Sequence, residues 1–128
     1  MNGSQTLASR FLLEEDPLPA KLKVSAVMDI TQLTDEMHRF VRSKGRYAGD
    51  SQRPQTPRNL AISLALEAAE ILEHFQWHEG IKNKEELEAE LADAALYLLQ
   101  LASASEIDLE QAILNKLEIN KTREWDQK

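Results

Sequence analysis

Glycine and proline occupy only a few positions, and this distribution constrains the fold more than any other feature of the sequence. The 128 residues contain four of each, and none falls within residues 20–44, 58–79 or 81–128. Uninterrupted stretches rich in Leu, Ala, Glu, Lys and Gln favour helices. No stretch alternates apolar and polar residues as a half-buried strand does. The sequence therefore predicts an all-α protein.

Local signals predict where the first two helices begin. Asp29 with Gln32 forms a capping box, and Gly45 is placed to end that helix in the left-handed conformation. Thr56 caps a second helix whose first residue is Pro57, where the missing N–H does no harm.

Two further helices are predicted by the same reasoning. They start behind the capping residues Asn83 and Asp108, which are followed three residues later by Glu86 and Gln111. The second, third and fourth predicted helices end near Trp77, Ser103 and Trp125.

Two of the predicted helices are more apolar than a small monomer needs. Residues 60–66 and 94–101 are apolar around most of the helix circumference, and such helices are buried on all sides. Four helices with short links indicate a four-helix, bundle-like architecture. We therefore expect a domain over residues 21–128 that assembles as a homo-oligomer, preceded by a flexible or partner-docked arm over residues 1–20.

Charge and composition exclude several classes of protein. The 22 acidic residues outnumber the 15 basic ones, for a net charge of −7, so we expect no nucleic-acid partner. The absence of cysteine excludes disulfides, thiolate zinc sites and a cysteine nucleophile. The sequence shows neither a secretory signal nor an apolar run near the ~18 residues of a membrane span. We therefore expect a cytoplasmic protein without a membrane partner.

Four acidic residues fall on the apolar helical hairpin predicted around Gly80. Glu67 and Glu70 share one helix face, as do Glu90 and Asp93, because residues three apart are neighbours on a helix. A short turn packs the two helices antiparallel, so the pairs can meet. Two such charges about 4 Å apart repel by roughly 4 kcal/mol at an effective dielectric of 20. Either protons are shared or a cation lies among them, and oxygen ligands favour Mg²⁺ or Mn²⁺.

Two other interpretations of these acids stay open. Glu-x-x-Glu pairs are common on solvated helices, so the chain could be a non-catalytic helical interaction module with the acids as a solvated seam. A di-iron bundle would need histidines at Glu-x-x-His spacing, which the sequence lacks.

A local reversal of charge separates the first two predicted helices. Residues 42–58 contain one acid, Asp50, and five basic residues, which are Arg42, Lys44, Arg46, Arg53 and Arg58. Beside a carboxylate–metal centre, such cations would neutralise polyphosphate oxygens. The alternative is an ordinary solvated loop. Because the sequence has no Gly-rich phosphate loop, a nucleotide would be held by metal and side chains.

The remaining candidate residues each have two interpretations. Trp77 stacks on a base or caps the core, and Tyr97, one turn after Asp93, offers its hydroxyl to the same site. His38 is a ligand contact or a satisfied, half-buried histidine. Three residues of the fourth helix lie at helical spacing and either bind an anionic ligand or complement the helix dipole: Lys116, Asn120 and Arg123.

These motifs resemble those of a known family. Glu67-Ala-Ala-Glu70 followed by Glu90-Leu-Ala-Asp93 is similar to the signature of the MazG-like all-α nucleoside triphosphate pyrophosphohydrolases. Further segments resemble the dCTP pyrophosphatase branch of that superfamily, namely Pro57–Leu60, Phe75–Trp77, Asp93–Tyr97, Asp108–Leu109 and Lys116–Arg123.

The resemblance implies an activity and an assembly. It implies Mg²⁺ bound by Glu67, Glu70, Glu90 and Asp93, with Mn²⁺ able to substitute. It implies hydrolysis of a nucleoside triphosphate to the monophosphate and pyrophosphate, with dCTP or a modified dCTP as the expected substrate and nucleotide pool control as the role. It also implies a homotetramer or a homodimer.

The resemblance assigns substrate contacts as well. His38, Trp77 and Tyr47 correspond to base-binding residues, and Lys116 and Asn120 to residues near the substrate that a neighbouring subunit would supply. Tyr47 stands where a tryptophan is usual, in a loop longer than the branch pattern. A dUTP-preferring or broad-specificity dNTP pyrophosphatase is the alternative.

Overall fold

The computed structural model describes residues 27–124. This part of the chain contains no strand and forms four helices, α1 (Ile30–Ser43), α2 (Pro57–Glu73), α3 (Lys84–Ala104) and α4 (Leu109–Thr122). The predicted all-α class is therefore confirmed. The predicted arm over residues 1–20 and the predicted domain start at residue 21 lie outside the described residues.

The helices begin where the sequence predicts. The Asp29 side chain accepts from the backbone N–H of Gln32 at 2.8 Å, and the Asp29 N–H donates to the Gln32 side chain at 2.9 Å. Side-chain oxygens of Thr56, Asn83 and Asp108 cap the other three helices. These caps satisfy backbone N–H groups that have no partner within the helix.

The helix ends follow the predictions less closely. α1 ends just before Gly45, whose φ of +69° favours glycine, as predicted. α2 ends at Glu73, so the predicted end near Trp77 is wrong. The N–H groups of His74 and Phe75 donate to carbonyls three residues earlier, which tightens the chain into a turn. Trp77 therefore lies in the connection between α2 and α3.

The α2–α3 hairpin is the most extensively packed pair of elements, and α1 packs against α3 and α4. The buried apolar side chains of the described residues form a small core, made of Met37, Val41, Leu60, Leu87 and Ala102. Many larger apolar side chains of α2, α3 and α4 stay exposed. None of the four helices has the length and hydropathy needed to cross a bilayer.

Candidate active site

The α2–α3 hairpin brings the four predicted acidic residues together. Glu67 and Glu70 lie on α2, and Glu90 and Asp93 lie on α3. Burial raises the pKa of Glu67. The charge of Glu70 and a hydrogen bond with it raise this pKa further, as do the charges of Asp93 and Glu90. Because like charges shift a pKa only at short range, these four carboxyl groups form one electrostatic cluster.

This carboxylate cluster suits a divalent cation. Oε2 of Glu67 is buried and has no hydrogen-bond partner among the described residues. A buried carboxylate oxygen without a partner is costly unless a proton or a cation compensates it. The donors are all oxygens, which hard cations prefer. Between residues 27 and 124 no group of three or more acidic or histidine side chains is already arranged to hold a metal ion.

A cavity of about 390 Å³ lies along the same hairpin, and none of the four acids lines it. Its wall includes Arg46 and Arg53 from the loop between α1 and α2, Asn59 and Ser63 from α2, and Tyr97 from α3. Ser63 and Tyr97 are each one helical turn from an acid of the cluster, so the cavity and the carboxylates follow one another along the hairpin. The wall therefore presents two cations and several hydrogen-bonding groups next to the acids.

Hydrogen bonds to a buried glutamine hold this loop in place. Gln100 on α3 is only 4% exposed, and its Nε2 donates to Oε1 of Gln55 at 2.7 Å. Nε2 of Gln55 in turn donates to the carbonyl of Arg53 at 2.6 Å. Nδ2 of Asn59 donates to the carbonyl of Pro54 at 2.9 Å. The backbone that carries Arg53 is thus tied to both helices of the hairpin.

Sequence reasoning missed several residues of the cavity wall. Asn59 and Ser63 precede Glu67 at intervals of four, and this helical spacing would have placed them on the same face as the acid. Gln55 carries no such signal, because its position depends on Gln100 in a distant part of the sequence.

Two predicted substrate contacts are held by partners within the chain. Nδ1 of His38 lies 2.5 Å from the Tyr47 hydroxyl, and Nε2 of His38 lies 2.7 Å from Oγ of Ser103. Burial lowers the pKa of His38 and raises the pKa of Tyr47 to about 12, so both side chains are neutral at neutral pH. This geometry favours the satisfied-histidine interpretation, and direct contact of His38 with a base would require displacing Tyr47 or Ser103.

The other predicted contacts lie apart from the carboxylate cluster in a single chain. Arg58 is exposed in the first turn of α2, and Trp77 is 84% exposed in the α2–α3 connection. α4 packs against α1. Among the described residues, the walls of the cavities next to the acids do not include the predicted α4 contacts, which are Lys116, Asn120 and the adjacent Arg123.

Comparison with known families identifies the fold. The sequence matches the MazG-like family model over residues 62–128, which is more than half of the chain. The matched span contains all four acids of the carboxylate cluster. The chain belongs to the MazG-like family.

Relatives of this MazG-like protein include dCTP pyrophosphatase 1 from Mus musculus, with 34% identity, and from Homo sapiens, with 36% identity. Each alignment covers 58% of this chain and 49% of the relative, so the chain spans about half the length of these curated relatives. A crystal structure of a pyrophosphatase from Archaeoglobus fulgidus is 33% identical, with a TM-score of 0.61, covering 77% of this chain and 95% of that chain. The predicted relationship to the dCTP branch of the MazG-like proteins is therefore confirmed.

The raised pKa of Glu67 predicts how stability depends on pH without metal. Between the usual glutamate pKa and the raised one, the folded protein binds a proton more tightly than the unfolded chain. The free energy of unfolding therefore falls as the pH rises through that window. Glu67→Gln should remove the fall in the free energy of unfolding that is due to this proton. The measurement is thermal unfolding in EDTA from about pH 4 to 7. If the free energy of unfolding of Glu67→Gln depended on pH as that of the wild type does, the pKa of Glu67 would not be raised by repulsion within the cluster.

Proposed function

We propose that this MazG-like protein hydrolyses a nucleoside triphosphate between its α and β phosphates, releasing the monophosphate and pyrophosphate. The observation that carries this proposal is the convergence of Glu67, Glu70, Glu90 and Asp93 beside a cavity walled by Arg46 and Arg53. Acids alone would repel a triphosphate, and a basic loop alone would only bind one. Acids and cations side by side can bind the phosphates and also support chemistry at them.

We also propose that the four acids hold Mg²⁺, for which Mn²⁺ can substitute. The unpartnered Oε2 of Glu67 and the all-oxygen donor set support this assignment. When bound, the metal would supply positive charge to the phosphate oxygens. The chain's own groups would complete the reaction: the arginines neutralise further phosphate oxygens, a carboxylate of the cluster orients the attacking water, and Tyr97 offers a hydroxyl near the same point.

dCTP or a modified dCTP is the substrate we propose. The support is the identity to dCTP pyrophosphatase 1 in mammals, together with amide and hydroxyl groups on the cavity wall that can bond a base or sugar. We place the protein in nucleotide pool control in the cytoplasm. The exposed apolar side chains support a homodimer or homotetramer.

A nucleotide panel tests this proposal. Canonical and modified dNTPs are incubated with Mg²⁺, and pyrophosphate and orthophosphate are measured separately. We expect pyrophosphate with the monophosphate, lost in EDTA, and the fastest turnover with dCTP or its modified form. If dUTP were turned over fastest, the proposed substrate would be wrong and the proposed reaction would stand. No product from any nucleotide would favour the interaction module.

Substitution of Trp77 should affect substrate binding and leave the fold intact. Because the side chain is 84% exposed, Trp77→Ala should change the free energy of unfolding by no more than about 0.5 kcal/mol. Loss of a stacked base should raise KM by roughly tenfold or more, and Trp77→Phe should recover most of the effect. Steady-state kinetics on both variants would show this. A wild-type KM in Trp77→Ala would remove the stacking role.

A further inference from the structure

A histidine outside the predicted set touches the carboxylate cluster. His74 is the first residue after α2, and its side chain is only 12% exposed. Its Nε2 lies 2.5 Å from Oε2 of Glu90 on α3. His74 also follows Glu70 by four residues, so it continues the acidic face of α2 into the connection. The contact therefore joins both helices of the hairpin at an acid of the cluster.

The carboxylate oxygen at this contact is buried. Oε2 of Glu90 accepts no hydrogen bond of ordinary geometry from the described residues, so the approach of His74 Nε2 is a close polar contact and not an aligned hydrogen bond. In the tautomer that carries hydrogen on Nε2, or in the protonated form, the ring nitrogen next to this oxygen carries an N–H, which a small rotation of the ring would direct at the carboxylate. Because the cluster is already crowded with negative charge, a donor at one oxygen favours a single orientation of the Glu90 carboxylate.

A neighbouring histidine lacks this relationship. His78 lies in the wall of a second cavity, of about 280 Å³, and this wall also includes Glu70, His74 and Glu90. Its Nδ1 lies 3.2 Å from the carbonyl of Gly80 in its own turn. His78 is thus close to the site without a contact to an acid of the cluster, and it serves as a matched control.

We infer that His74 is a positioning residue, which holds Oε2 of Glu90 so that the second carboxylate oxygen is available to the divalent cation. The inference rests on the proposed function, since it requires the four acids to bind a cation. Groups that orient a metal-ligating side chain contribute to metal affinity through that side chain, and their removal typically weakens binding by about 10- to 100-fold.

The test is Mn²⁺ binding to the 128-residue chain without nucleotide, measured by calorimetry or by electron paramagnetic resonance. His74→Leu should weaken Mn²⁺ binding by about 10- to 100-fold, whereas His74→Gln, which keeps an N–H donor, should recover most of the affinity. His78→Leu should bind as the wild type does. His74→Asn, which is too short to reach Glu90, should behave as His74→Leu and provides a second variant if leucine impairs folding.

A double-mutant cycle separates positioning from a general structural effect. If His74 acts through Glu90, His74→Leu should weaken Mn²⁺ binding no further in a Glu90→Gln background. In turnover assays the variant should raise the Mg²⁺ concentration needed for half-maximal rate, with KM for the nucleotide unchanged at saturating Mg²⁺. Additive losses from the two substitutions would overturn the inference.

The outcomes also distinguish this inference from the proposed function. Wild-type Mn²⁺ affinity in both His74→Leu and His74→Asn would overturn the positioning role and leave the cation site intact. No Mn²⁺ binding by the wild-type protein would overturn both the cation site and the role of His74.

Discussion

Replacing Asp93 with asparagine should lower kcat by about a hundred- to a thousandfold, and Glu70→Gln should do the same. Each substitution keeps the shape of the side chain and removes one negative charge from the carboxylate cluster. Both charges belong to the cluster because each raises the pKa of Glu67. Fixed charges placed where they stabilise a reacting group contribute on the order of 3–4 kcal/mol to the barrier. Pyrophosphate release at saturating Mg²⁺ is the measurement.

Two further readouts make this prediction specific. Glu88→Gln removes the same charge from α3 at an exposed position that does not act on Glu67, so it should keep wild-type turnover. In EDTA, Asp93→Asn should unfold at a higher temperature than the wild type, because one repulsive charge is gone. Full turnover in Asp93→Asn, or an equal loss in Glu88→Gln, would contradict the role of the cluster.

The helix starts could be predicted because capping is a local interaction. Asp29, Thr56, Asn83 and Asp108 each bond a backbone N–H three residues later, so the signal and its effect lie in one short segment. The end of α2 carried no such signal. The chain tightens into a turn at His74 with no glycine or proline nearby. The apolar pattern of the sequence continues past this point, and the predicted helix was therefore too long.

The same distinction applies to the candidate site. Helical spacing and one short turn were sufficient to bring Glu67 and Asp93 near each other, because both depend only on a helical hairpin. The bond of Gln100 to Gln55 and the contact of His74 with Glu90 join residues on different elements. Gln100 and Gln55 share no sequence pattern. The spacing of His74 from Glu70 places it on the acidic face of α2, but its contact with Glu90 depends on how the two helices pack.

A single chain leaves residues 60–66 and 94–101 partly exposed, and the prediction that an oligomer buries them stays a prediction. These stretches are apolar around the helix, yet Leu66 and Leu98 are largely exposed. A monomer rarely leaves so many large apolar side chains in water. This exposure is the physical basis of the proposed oligomer, in which a second copy of the chain would cover these side chains.

Charges on α3 should dissociate that oligomer. Leu91 and Leu98 are 50% and 43% exposed, and residues seven apart share a helix face. Burial of each leucine contributes about 1.5–3 kcal/mol, so Leu91→Glu with Leu98→Glu should raise the dissociation constant by about a thousandfold or more. Light scattering should show a multiple of the chain mass for the wild type and a single chain for the double variant.

Ala104→Glu, at an exposed position on a different side of α3, is the matched control and should keep the oligomer. A monomeric wild type would contradict the proposed assembly, and an intact oligomer in the double variant would exclude this face of α3 as the interface.

The double variant also tests whether the predicted α4 contacts reach the substrate from a neighbouring copy. All four acids belong to one chain, so Mn²⁺ binding should survive dissociation. If Lys116 and Asn120 reach the substrate from a neighbouring copy, KM should rise in the dissociated protein, because a single chain packs α4 against α1.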